Sequence, residues 1–329
     1  MRRTLKLAAI SAVFATTAYA EPIIVTEENF AQAYTNLRLA SIIEAAGGLN
    51  TFRIMDVPPS DQSKQFVVRM NRDTFYSTSV FDVSGGDVYI TIPDTDDYVT
   101  IQIVDENHET QPMIYGPGRH NITAKTDFAF VIVRTLDPDL RENVVVEAGE
   151  PGEFVVQDWD MESFAEMEAV GNADFSDGYV QARAYNNTEG GQTPYMNFVG
   201  AAGGWGGAMI QDNIYQTSPY FDADGCYVVT FVDPEAEFFW SATVYNGDGY
   251  LFNDVGNISS EMDPEQNEDG TFTLRFGCDG QPNNIPTMEG NNTGRFNVLM
   301  RHYGPSEMVF QGLDGYNMTT RIAPSEQSP

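Results

Sequence analysis

The chain has 329 residues and carries 48 Asp and Glu against 17 Lys and Arg, a formal charge of −31 at pH 7. Such a field repels phosphate backbones and anionic lipid, so nucleic acid and anionic membranes are poor partners for it. The apolar content of 42% is ample for packed cores, and the acid is scattered along the chain, which fits a solvated coat on a folded protein.

The first twenty residues follow the three-part grammar of an export signal. Arg2, Arg3 and Lys6 make the positive start, Leu7 to Ala18 is apolar, and Ala18-Tyr19-Ala20 places small residues before a cleavage point. The run is short of the ~20 apolar residues that a span requires, and no later stretch is longer, so no membrane span is expected. Cleavage after Ala20 and a periplasmic or secreted location are the expectation. Losing Arg2, Arg3 and Lys6 takes the formal charge to −34.

A helix comes next. Phe30, Ala33, Tyr34, Leu37, Ala40 and Ile43 recur at helical spacing, Thr26 is placed to cap the start, and Gly47-Gly48 stops it. Short β-branched and aromatic runs follow at Phe66–Met70, Thr74–Val83, Asp87–Ile92, Tyr98–Val104 and Phe128–Thr135, with further edge strands at Val144–Glu147 and Phe154–Gln157. A short helix is expected at Met161–Val170. Residues 172–209 are rich in Asn, Gly and small side chains and read as a junction, with the glycines around Trp205 as a tight backbone passage beside an indole. A second β series runs through Cys226–Val232, Phe238–Tyr245, Thr271–Gly277 and Arg295–Tyr303, with a last strand at Met308–Gln311 and a frayed tail after Ile322. This spacing predicts a mostly β fold: two antiparallel sandwich- or jelly-roll-like domains with an N-terminal helix and a few short helices. The expected division is 21–171, a junction at 172–209, and 210–329.

Cys226 opens one strand-like run and Cys278 closes another. If these runs pair antiparallel the sulfurs meet, and an even count in an oxidising compartment reads as one disulfide.

Strong catalytic signatures are missing. There is no Gly-x-Ser-x-Gly elbow, no HExxH and no phosphate-binding loop, and the sequence leaves any cofactor or metal unknown. Asp222-Ala223-Asp224-Gly225 begins like a calcium loop but runs into a strand, so it reads as a turn. Of the three histidines, His108 lies in an acidic segment just past a strand end, where it reads either as a solvated residue of an acidic hairpin tip or as a group that a carboxylate orients as a base or shares a metal with.

The segment Asn71-Arg72-Asp73-Thr74-Phe75-Tyr76-Ser77, with Arg69 before it and Val133-Arg134-Thr135 downstream, resembles the domain-of-unknown-function family numbered 1254. Phe239-Trp240-Ser241-Ala242-Thr243-Val244-Tyr245, Asp269-Gly270-Thr271 and Arg301-His302-Tyr303-Gly304-Pro305 are similar to the companion family numbered 1214. Where that family commonly has Asn-Trp-Leu-Pro, this chain has Asn283-Asn284-Ile285-Pro286. The resemblance implies two β-rich domains and an exported protein, and supplies no reaction. In strand geometry Arg69, Asn71 and Asp73 share a face, and Asp73 is placed to pair with Arg69 or Arg72, to face a pocket as a carboxylate, or to join a structural hydrogen-bond network at the domain junction.

Two classes of function follow. The first is a protein binding a small molecule or glycan in a cleft between two β domains, using Arg69, Asn71, Trp205, Tyr215 and Trp240, although Trp240 also suits a core position. The second is a hydrolase or metal-assisted lyase with Asp73, Tyr76, His108 as base or metal ligand, and Arg301 holding an anionic group. A structural role in a surface assembly, or a homo-oligomer built on open sheet edges, is a third.

Overall fold

The computed structural model describes residues 21–55, 60–65, 67–176, 193–311 and 321–325. The export signal and Phe66 lie outside these residues. Helix α1 (Phe30–Ala46) buries Phe30, Ala33, Tyr34, Leu39 and Ile42, so its inward face is rotated slightly from the stripe read off the sequence, with Leu37 and Ile43 at the margins. Thr26 does not cap it through its side chain. Its backbone N–H donates to Asn29 Oδ1 at 2.8 Å while its carbonyl accepts from Phe30 N–H at 2.9 Å. Gly47, at φ 81°, closes the helix in the left-handed conformation that glycine adopts without steric penalty.

Eight strands follow: β1 (Arg53–Met55), β2 (Phe75–Asp82), β3 (Val88–Ile92), β4 (Val99–Asp105), β5 (Ile114–Tyr115), β6 (Gly118–Ile122), β7 (Phe128–Thr135) and β8 (Val145–Glu147). They form a five-stranded sheet in the order β1-β2-β7-β4-β5 and a three-stranded sheet β6-β3-β8, with antiparallel pairing throughout. On one face of the larger sheet Phe81, Ile101, Ile103, Ala129, Val131 and Val133 pack on Val88, Ile90 and Ile92 of the smaller one. The other face carries Val80, Val104, Phe130 and Ile132 and is covered by helices. Burial on both faces explains why β4 and β7 read as continuous apolar runs rather than an alternation.

Two of these helices reach into the stretch read as a junction. Helix α2 (Met161–Ser176) runs beyond Val170, and α3 (Pro194–Gly204) occupies much of the presumed glycine-rich passage. Thr193 caps α3, accepting from Met196 N–H at 3.2 Å, and Pro194 sits in its first turn. The small residues set the packing distance. A Cβ on Gly171 would lie 2.6 Å from Ala202 Cβ, and one on Gly203 would overlap Phe175. Glycine here trades helix propensity for close helix–helix approach.

The second half contains β9 (Asn213–Thr217), β10 (Phe221–Asp222), β11 (Tyr227–Val232), β12 (Phe239–Asn246), β13 (Asn257–Ser259), β14 (Thr271–Phe276), β15 (Asn284–Ile285), β16 (Arg295–Tyr303) and, after helix α4 (Glu307–Gln311), β17 (Ala323–Pro324). One sheet has the order β10-β16-β12-β13 with β9 also on β16, and a four-stranded sheet β15-β14-β11-β17 faces it. Val229, Phe231, Phe272 and Leu274 interdigitate with Trp240, Ala242, Val244, Phe296, Val298 and Met300 in a sandwich core. Pairing of Tyr227 with Phe276 brings the flanking cysteines together, and Cys226–Cys278 is a disulfide with Cα atoms 4.8 Å apart.

The fold is therefore mostly β, with antiparallel sheets and few helices. Five details of the sequence reading are corrected. Residues 67–70 form a turn, not a strand, because Arg69 takes φ 54° and its N–H donates to Gly249 O. Residues 154–157 join no ladder, although the neighbouring Trp159 bridges to Ile23. Residues 172–176 and 194–204 are helical, and residues 177–192 of the expected junction lie outside the described ones. Residues 308–311 lie in α4, where Phe310 N–H donates to Ser306 O. Ala323 and Pro324 pair with β11 rather than fraying.

Candidate functional site

On β2, Tyr76, Thr78 and Val80 share the helix-facing side of the first large sheet, and on the adjacent β7 so do Phe130, Ile132 and Arg134, as period-two alternation requires. On β12 and β16 the alternation puts Trp240 and Met300 inside the sandwich and leaves Thr243, Tyr245, Leu299 and Arg301 on the opposite face. These two faces meet. Between them, closed by the 67–71 turn and the end of α3, lies a cavity of about 170 Å³.

Six of the nine residues proposed from sequence line it: Arg69, Asn71, Tyr76, Trp205, Tyr215 and Arg301. The wall also includes Arg134, Arg53, Phe130 and Phe175. The strand registers set two Arg–Tyr neighbours, Tyr76 opposite Arg134 and Tyr215 opposite Arg301, one from each half of the chain. Tyr215 lies close enough to both guanidiniums for each to oppose the rise in its pKa that burial produces. The Arg134 guanidinium sits 5.4 Å from the centre of the Tyr76 ring. It is 8% exposed, and its Nη1 has no hydrogen-bond partner.

Arg301 is fixed by three donations: to Thr243 Oγ1 at 3.1 Å, to Arg69 O at 3.1 Å and to Tyr245 OH at 2.7 Å. Burial disfavours its charge, but the oxygens of Tyr245 and Tyr303 and the Asp73 carboxylate outweigh this and hold its pKa above the ordinary value. Tyr245 in turn donates to Met70 O at 2.7 Å, so both side chains clasp the backbone of the 69–71 turn. Arg69 donates to Gly203 O at 2.8 Å and lies 4.7 Å over the Phe175 ring, joining that turn to α2 and α3.

Trp205 ends α3. Its Nε1 donates to Thr35 Oγ1 at 2.9 Å, and its ring is 5.0 Å from Phe130. The following turn is held from the first sheet: Gln102 Nε2 reaches Gly206 O at 2.9 Å and Gly207 O at 2.8 Å. His108 belongs to this support. Its Nε2 accepts from Gly206 N–H at 2.9 Å, which places the ring proton on Nδ1, donated to Asn197 Oδ1 at 2.8 Å. Burial lowers its pKa to about 4. It does not line the cavity, and both nitrogens are engaged, so its geometry is that of a brace and not of a base or metal ligand.

Asp73 and Trp240 also stand off the cavity wall. Asp73 pairs with neither Arg69 nor Arg72: its Oδ2 accepts from Ser241 Oγ at 2.5 Å and Tyr303 OH at 2.9 Å, and its Oδ1 from Asn257 Nδ2 at 3.3 Å. Arg72 instead reaches Asp254, with 3.5 Å between charged atoms. Asn71 adds Nδ2 to Tyr303 OH at 2.5 Å and accepts Asp73 N–H at 2.7 Å. This network ties the Asn-x-Asp-Thr segment to the Phe-Trp-Ser and Arg-x-Tyr segments behind the cavity. Trp240, 1% exposed, is packed against Phe231 and Phe272 inside the sandwich.

Arg134, Phe175 and Arg53 were not singled out from sequence. The available signal for Arg134 was an arginine two residues beyond Ile132 on the covered face of an otherwise apolar run. Among the described residues no group of three or more His, Cys, Asp or Glu is arranged to hold a metal, and no helix is long and apolar enough to cross a membrane.

Fold and site together define an antiparallel β protein of two sheet pairs with an internal cavity where the pairs meet. The chain matches the models of two families of proteins of unknown function, DUF1254 at residues 49–156 and DUF1214 at residues 213–307. Its fold is similar to that of the VPA0106 protein from Vibrio parahaemolyticus, with 16% identity, a TM-score of 0.61, and 92% of this chain and 100% of that one covered. It is also similar to an uncharacterized protein from Burkholderia cenocepacia, with 12% identity and a TM-score of 0.50 over 85% of this chain and 84% of that one. Among curated proteins the sequence has no match.

Proposed function

We propose that this exported protein binds a small molecule in the cavity between its two halves. The observation that carries the reading is that the cavity wall is assembled from both family segments at once, with Arg69, Asn71 and Tyr76 from one and Arg301 from the other. Neither half forms the site alone, which gives a reason for the two segments to occur in one chain. A volume of about 170 Å³ suits a compact molecule and not a glycan chain. A periplasmic or secreted setting accords with the disulfide and the N-terminal signal pattern. The hydrolase or lyase reading draws less support, because no Asp, Glu or His stands among the described lining residues and His108 is engaged as a brace.

Thermal-shift screening of the protein against small metabolites tests the proposal. A ligand at a hundred times its Kd adds about 2.7 kcal/mol, a rise of several degrees. Ser41 lines the cavity and is exposed on α1, so Ser41→Trp should abolish the shift while barely changing the ligand-free melting temperature. No shift with any compound, or a shift that survives Ser41→Trp, would count against the cavity.

A further inference from the structure

We infer that the ligand is a small organic monoanion, a carboxylate on a single planar apolar ring, anchored by Arg134. This rests on the cavity being a binding site and names the class of molecule it takes. Four of the chain's 17 Lys and Arg line the cavity, whereas none of its 48 Asp and Glu is among the described lining residues. In a protein of charge −31, an interior wall with arginines and no carboxylate runs against the composition, and it creates a local positive potential that favours an anion.

Arg134 makes the inference specific. It is 8% exposed, it forms no ion pair among the described residues, and its Nη1 lacks a hydrogen-bond partner. A buried charged donor without an acceptor is destabilising, and a ligand carboxylate would relieve it by the bidentate geometry that guanidinium favours. Arg301 serves a different purpose, since Thr243, Tyr245 and the Arg69 carbonyl already receive its donors. The apolar body is set by size and lining. A dry cavity of about 150 Å³ accepts benzene, and this one of about 170 Å³ is walled by Trp205, Phe130, Phe175 and Tyr215. One ring and one carboxylate fill it, whereas a dianion such as phosphate would leave the aromatic wall bare.

The test is isothermal titration of the full chain with benzoate and with benzamide, its neutral counterpart of nearly the same shape. Benzoate is expected to bind at least tenfold more tightly than benzamide in the wild type. Arg134→Met should lower benzoate affinity by tenfold or more while leaving benzamide within about twofold. Arg134→Lys, which keeps the charge and loses the fork, should fall between. Equal binding of the two probes by the wild type, or undiminished benzoate binding by Arg134→Met, overturns the anion assignment and leaves the cavity reading intact. Binding of neither probe also overturns it. In that case the cavity reading is judged separately, by whether uncharged compounds give shifts abolished by Ser41→Trp. If Arg134→Met fails to fold by circular dichroism, the wild-type comparison of the two probes decides.

Discussion

Replacing Gly203 with alanine should destabilise the protein, although alanine is the better helix former. In an unconstrained helix interior the change would stabilise by about 1 kcal/mol. Here the new methyl would be driven into Phe175, overlapping both its Cβ and its ring. Phe175 is 2% exposed and its Cβ is fixed by the α2 backbone, so rotation of the ring alone cannot clear the overlap. Overpacking of this kind costs about 1–3 kcal/mol, and the depth of the clash puts it at the upper end, for a net loss of roughly 2 kcal/mol after the propensity gain. The effect should also reach the cavity, because Arg69 donates to Gly203 O and lies over the Phe175 ring. Urea unfolding followed by circular dichroism measures the first consequence and ligand titration the second. Gly85→Ala, where a Cβ meets nothing within 4 Å, is the control and should be near neutral. A Gly203→Ala protein as stable as the wild type, or more so, would refute the claim that glycine is required there by helix–helix contact.

Other outcomes follow from the same structure. Removing the bridge with Cys226→Ser and Cys278→Ser opens a link spanning 52 residues, and chain entropy puts the loss at about 4 kcal/mol, read as a lower urea midpoint. Asp73→Asn should destabilise by roughly 2 kcal/mol by weakening the bonds from Ser241 and Tyr303, and Tyr303→Phe by about half as much; unchanged unfolding in both would deny that this network joins the halves. Burial holds His108 at about 4 and His302 at about 3, below the ordinary histidine value of ~6.5. The unfolded chain therefore takes up these protons first as pH falls, so their contribution is whole above pH ~6.5 and is lost progressively on acidification, down to about 4 for His108 and about 3 for His302. His302→Gln should flatten the fall of stability between pH 6 and 4 by roughly 1 kcal/mol per pH unit, and an unaltered slope would contradict the assignment.

The longer strands of both halves were legible because aromatic and β-branched runs such as Phe128–Thr135 and Arg295–Tyr303 are bounded by turn residues and have no competing helical period, whereas short ones such as β1, β6, β9 and β13 were not expected. The disulfide followed from its position at the ends of two such runs. Helix α3 was hidden because Gly200, Gly203 and Gly204 signal irregular backbone in isolation, whereas contact with Gly171 and Phe175 makes small residues necessary in a helix. The 67–70 turn looked like a strand because Val67, Val68 and Met70 are apolar. Only the clasp of Arg301 and Tyr245 on its carbonyls shows why it bends. His108 attracted a catalytic reading through its acidic neighbours, yet its partners Gly206 and Asn197 are some ninety residues distant. For Asp73 a hydrogen-bond network at the junction was legible as one reading beside an arginine pair, but its partners there lie more than 160 residues away and could not be named. Polar contacts between remote segments leave no local pattern, and the two Arg–Tyr neighbours that line the cavity are of that kind.

The cavity between the halves is proposed to take a small ring carboxylate at Arg134. A crystal structure of the wild-type protein grown with benzoate tests it most directly. The carboxylate should lie within hydrogen-bond distance of the Arg134 guanidinium and the ring against Trp205 and Tyr215. A cavity holding only ordered water, or a carboxylate turned away from Arg134, would contradict it.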